Sequence, residues 1–139
     1  MLLPAFGNAA VKDKNTGLVW EQSPNEDGVL RTGTEAIDYC YNKSVGGSFG
    51  WWLPTVVELS SLRDPTTPAP FVPAIFSGVH PYYYWSSSYI EQYVKTNGFR
   101  GMLGVSFYVT WSSAWYPLGR IDYHDIGNPF YVWCVRGEE

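Results

Sequence analysis

The residues of this chain best suited to chemistry lie in its C-terminal third. Trp111, Trp115, Tyr116, Tyr123 and Tyr131 set large rings among Ser, Gly and Asn. Such rings offer a broad rigid face and one hydrogen-bonding group at low entropic cost, which is the chemistry of a recognition surface. Strand alternation turns Phe107 and Val109 away from Tyr108 and Thr110, so part of the aromatic content belongs to a core. Arg120, Asp122, His124 and Asp125 stand close together and, with Asn128, read as polar contacts around the rings. One His and two Asp can hold a metal, but neighbours on a turn do not make a ligand geometry, and no activated nucleophile accompanies His124. Neither a metal nor a cofactor is expected. Trp85-Ser86-Ser87-Ser88 offers hydroxyls but lacks the Gly-x-Ser-x-Gly elbow that exposes a serine nucleophile.

Positioning such a surface needs one well-packed framework, and the bulk properties supply it. At 139 residues with 45% hydrophobic and 16% charged side chains, the chain suits a single ordered domain. Residues 1–10 read as an N-terminal extension and 11–139 as the domain. The aromatic share of 18%, including 7 Trp and 11 Tyr, exceeds what a small core needs. A net charge of −4 and only nine scattered Lys and Arg argue against nucleic acid as the partner. No apolar run is long enough to span a bilayer. The opening Met1-Leu2-Leu3-Pro4-Ala5-Phe6 lacks the basic and long apolar regions of a secretory signal. Cys40 and Cys134 have no CxxC spacing and no nearby His cluster, so they are either a disulfide or two buried free thiols. The disulfide is the better reading, and in the chain-entropy model it removes roughly 4–5 kcal/mol of unfolded-state freedom.

The element pattern runs hairpin, helix, helix, loop, strands. Asp13–Gly17 turns a first hairpin into Leu18-Val19-Trp20. Thr34 is the expected cap of a helix over 35–42, with Ile37, Cys40 and Tyr41 on its inner face. Thr55 and Glu58 form the capping box of a second helix over 56–62. Prolines between Asp64 and Pro73 impose a loop with Phe71 as an anchor. Strands are expected over 82–89, 104–111, 119–123 and 130–135, giving an α+β fold. Trp51, Trp52, Leu53 and Trp85 are expected in the core.

Five segments in order resemble successive blocks of the DUF1566 domain: Asn15-Thr16-Gly17-Leu18-Val19-Trp20, Ala36-Ile37-Asp38-Tyr39-Cys40, Trp52-Leu53-Pro54-Thr55 with Glu58-Leu59, Tyr84-Trp85-Ser86-Ser87-Ser88, and Tyr131-Val132-Trp133-Cys134-Val135-Arg136-Gly137. The match spans Val11 to Gly137 and is weakest between Ile90 and Asn128. That family is similar to the C-terminal domain of Legionella collagen-like protein and, more distantly, to formylglycine-generating-enzyme-like domains and C-type lectins. The resemblance implies a C-type-lectin-like fold of two helices plus antiparallel sheets. It also implies a disulfide from the first helix to the final strand, where Cys40 and Cys134 fall. In such folds the chain between the second helix and the last strand binds ligand. The sequence concentrates its rings there, from Tyr82 to Trp133.

Trp111–Asn128 is further similar to the variable surface of the proteins diversified by retroelements. The calcium-binding motifs of sugar-specific C-type lectins, Glu-Pro-Asn or Gln-Pro-Asp with Trp-Asn-Asp, do not occur. The active-site cysteines of the enzyme relatives are also missing, since Cys134 takes the structural position. The expectation is therefore a non-enzymatic display module that binds a protein or glycan at the surface of a cell or virion, or outside the cell. Its ligand contacts are Trp111, Trp115, Tyr116, Arg120, Tyr123, His124, Asp125 and Asn128. An oxidase resembling the formylglycine-generating proteins, or a subunit that self-associates into an oligomer through its aromatic face, are the alternatives.

Overall fold

The computed structural model describes residues 1–64, 66–67, 72–80, 82–89, 101–106 and 121–137. Strand β1 (Ala10–Lys12) turns into the antiparallel β2 (Val19–Glu21). The turn closes because Asp13 Oδ1 accepts from the Asn15 N–H at 2.9 Å and Gly17 takes a φ of 77°, which a side chain resists. The segment before β1 lies against the body: Leu3 N–H donates to Ala10, and Phe6 is buried edge-on to Trp51.

Helix α1 (Gly33–Tyr41) begins earlier than a Thr34 cap would allow. Thr32 is the N-cap, exchanging hydrogen bonds with Glu35 in a capping box. With Thr34 as cap the returning position would fall on Ile37, which has no carboxylate. The inner face is Gly33, Ala36 and Cys40, with Ile37 partly buried. Tyr41, expected inside, is 77% exposed, because it lies a further 100° beyond Cys40 at the end of the helix. Helix α2 (Val56–Ser60) has the expected cap, Thr55 bonded reciprocally with Glu58. Trp52, expected in the core, is 39% exposed; its ring meets Gly137 and its indole N–H donates to Glu58.

Strands β3 (Tyr83–Tyr89), β4 (Gly101–Ser106) and β5 (Ile121–Asp125) form a second antiparallel sheet. The first sheet is completed by β6 (Val135–Arg136) beside β2. The fold is thus α+β, with two α-helices and two small antiparallel sheets among the described residues. The strand expected over 130–135 is a ladder only at its end, because the backbone groups of this segment go to several partners. Phe130 pairs with Arg31, Tyr131 with Tyr83 and Trp85, Val132 N–H with the Asn25 side chain, and Cys134 N–H with the Glu21 side chain.

That terminal segment also divides the core. Phe130, Val132 and Cys134 pack with Phe6, Val19, Ala36, Cys40, Trp51, Leu53 and Trp85. Trp133 and Val135 turn the other way, onto Trp20, Leu59, Leu62, Val72 and Tyr84. An extended chain alternates its side chains between two faces, so one stretch of sequence can sit between two apolar layers. Cys40 and Cys134 are bonded as a disulfide, both fully buried, with Cα atoms 5.4 Å apart.

Candidate functional site

Three segments meet where the terminal chain passes β3. Reciprocal backbone bonds of 2.8 and 2.9 Å join Arg31 to Phe130, and the Trp85 indole donates to the Arg31 carbonyl at 2.9 Å. Above this junction runs a groove of about 640 Å³ lined by Leu30, Tyr82, Tyr83, Asn128, Pro129, Phe130 and Tyr131. Tyr82 projects into solvent, 51% exposed, as does Leu30, which lines the groove with it. Its ring stands edge-on to Tyr83, Phe130 and Tyr131 at centroid distances of 5.7, 6.1 and 6.4 Å. His80 covers one face of Tyr131, with parallel rings 4.3 Å apart.

The walls are fixed from beneath. Arg31 holds the loop that carries Leu30 by bonding Asp27, the Asn25 side chain and the Val29 carbonyl, while lying 3.6 Å above the Tyr39 ring. The Asp27 carboxyl is held below its usual value by its hydrogen bonds from Arg31. Tyr84, one residue from the groove floor, is fully buried and its hydroxyl accepts from the His80 N–H at 2.9 Å. Burial pushes that hydroxyl far above the ordinary tyrosine value. The groove therefore presents apolar ring faces, phenol groups and one amide on a rigid base. That chemistry suits binding of a ligand with both apolar and hydrogen-bonding parts.

Of the residues singled out from the sequence, Asn128 lines this groove and is exposed. Tyr123, His124 and Asp125 lie on β5, in register with Leu103, Met102 and Gly101, and the chain runs from them through Ile126 into the groove wall. Trp111, Trp115, Tyr116 and Arg120 lie outside the described residues, as do Phe71, Phe107 and Val109. Leu30, Tyr82 and Phe130 were missed. The run Tyr82-Tyr83-Tyr84-Trp85 carried a signal, since four consecutive rings in an alternating strand cannot all be buried on one side.

The family model of the Lcl C-terminal domain matches residues 9–136, nearly the whole chain. The chain belongs to the Lcl C-terminal domain family. This agrees with the block resemblance and places the groove inside the Lcl C-terminal domain rather than on an appended segment. No curated protein matches the chain.

A second, smaller cleft of about 260 Å³ is lined by polar groups including Glu21 and Lys43. Glu21 is 3% exposed, and its Oε2 lies 3.1 Å from Lys43 Nζ, while Oε1 accepts the Cys134 N–H at 2.7 Å. Burial pushes the Glu21 carboxyl above its ordinary value against the pull of Lys43. Desolvation lowers Lys43, but Glu21 and the Tyr39 hydroxyl outweigh it and hold the ammonium above its ordinary 10.5. A lysine raised in the folded state contributes stability that is complete below its unfolded value and is lost as pH climbs through the folded one. The raised Glu21 acts in the same sense, its contribution complete below 4.5 and lost as pH climbs through its folded value. Urea midpoints should therefore fall as pH rises beyond 10.5, and Lys43→Met should flatten that alkaline limb. An identical limb in the variant would remove Lys43 from the account.

Proposed function

We propose that this domain is a non-catalytic binding module with a C-type-lectin-like fold that takes a protein or glycan ligand in the groove between Leu30, Tyr82 and Asn128–Tyr131. The observation that carries this reading is the set of exposed and half-exposed rings gathered at one end of β3 over a fixed junction. Clusters of aromatic residues in a pocket supply most of the affinity of many recognition surfaces. The fold reading is supported by the element order and by the bridge from α1 to the segment that returns to the first hairpin.

Trp111, Trp115, Tyr116, Arg120, Tyr123, His124 and Asp125 are further ligand contacts in this reading, and the stretch from 111 to 128 is the part that diversification by a retroelement would vary. The disulfide is consistent with an extracellular location, and no helix among the described residues is long and apolar enough to cross a membrane. Display on a cell or virion surface fits the same chemistry. Screening the purified domain on a glycan array and a panel of cell-surface proteins tests the reading. Tyr82→Ala and Leu30→Asp should each weaken the strongest signal by about tenfold or more while leaving the melting temperature nearly unchanged. Full binding by both variants would move the site elsewhere.

A further inference from the structure

We propose that the Glu21–Lys43 ion pair is a clasp that holds Cys40 and Cys134 together before they are oxidised, so that the disulfide closes on thiols already placed by the folded chain. The two cysteines belong to segments that share no ladder among the described residues, α1 and the stretch before β6. The start of α1 is tied to the terminal chain by the Gly33 N–H, which donates to the Ile126 carbonyl at 2.7 Å. Its far end, where Cys40 sits, packs with Val132 and Cys134 in one apolar cluster and is also joined to that segment by a polar link through Glu21. Glu21 takes the backbone N–H of Cys134 on one oxygen and Lys43 on the other.

Each end of this link is itself anchored. Lys43 follows Cys40 by three residues, its N–H bonded to the Cys40 carbonyl at 3.2 Å and its ammonium donating to Tyr39 of the same helix at 2.6 Å. Glu21 also accepts the Trp133 indole on its backbone carbonyl at 2.9 Å. The ion pair and the disulfide therefore restrain the same two segments, one without and one with a covalent bond. With side chains 17% and 4% exposed, Lys43 and Glu21 are costly to desolvate, and the role assigned to the pair is to fix the two segments rather than to add net stability.

Oxidation by a small disulfide such as oxidised glutathione proceeds in two exchanges. One protein thiolate attacks a glutathione sulfur and releases a glutathione thiolate; the second protein thiolate then displaces the other. Two protein thiols lose two electrons and two protons, and two glutathione thiols are formed. The second exchange depends on how often the two protein thiols meet, which is what a clasp raises. By linkage, the closed disulfide must strengthen the clasp by the same factor.

The test equilibrates the intact chain with reduced and oxidised glutathione and counts closed and open forms by alkylation and mass. Glu21→Leu and Lys43→Met should each lower the effective concentration of the thiols by about tenfold or more. Thr55→Ala weakens α2, which carries neither cysteine, and should leave it within about twofold. Near-ultraviolet circular dichroism of the reduced natural chain should retain its native signal. Loss of that signal on reduction would overturn the proposal even if a variant failed to fold. So would unchanged effective concentrations in both clasp variants, or an equal fall in Thr55→Ala.

Discussion

Trp133→Ala should cost about 3–5 kcal/mol, a large share of the 5–15 kcal/mol that holds a domain of this size together. The side chain is fully buried in the layer it shares with Leu59, Leu62 and Val72, edge-on to Trp20 at 5.9 Å and Phe76 at 5.0 Å and tilted against Tyr84 at 5.8 Å. Truncation leaves a cavity that three rings on three different segments cannot close together, since each is fixed by its own backbone. It also strips the Glu21 carbonyl of the indole donor. Trp133→Phe keeps most of the packing and loses the hydrogen bond, so it should fall between the two. Urea unfolding followed by circular dichroism measures the series. A loss below about 1 kcal/mol for Trp133→Ala would mean that the layers collapse onto the void, contrary to this account of the core.

The second large effect is expected on replacing both cysteines by serine. The bridge joins residues 94 apart in sequence and lies wholly out of solvent. Freeing that loop returns conformational freedom to the unfolded chain, about 2–5 kcal/mol in small domains, and the two hydroxyls left behind add the cost of burying polar groups. Because the clasp of Glu21 and Lys43 remains, the double variant should still fold at room temperature, with a lower urea midpoint and a steeper slope, since the unbridged chain exposes more surface when it unfolds. A midpoint equal to that of the natural chain would show that the unfolded state gains nothing from the missing bridge.

Much of this architecture could be read from local chemistry. The turn at Asp13–Gly17, the box of Thr55 and Glu58, and the burial of Cys40, Trp51, Leu53 and Trp85 all follow from short-range rules, and the structure has them. The errors have a common cause. Thr32 and Thr34 stand two residues apart at the start of the helix, and only the partner at Glu35 decides between them. Trp52 and Tyr41 look like core residues by type, but each sits where its element meets solvent.

The stretch 130–135 has the composition of a strand, yet its backbone bonds go to side chains of Asn25 and Glu21 that no local pattern could assign. The groove was legible only in part for the same reason. Asn128 was singled out, whereas Leu30 and Tyr82 become neighbours through the pairing of Arg31 with Phe130, a contact between residues far apart in the chain.

Amide chemical-shift mapping of the labelled domain, titrated with the strongest binder from the array and protein panel, tests the central claim most directly. The groove account predicts shifts concentrated at Leu30, Tyr82, Asn128 and Tyr131, with residues of the Glu21–Lys43 cleft unmoved. Shifts gathered at that cleft, with the rings of the groove silent, would contradict it.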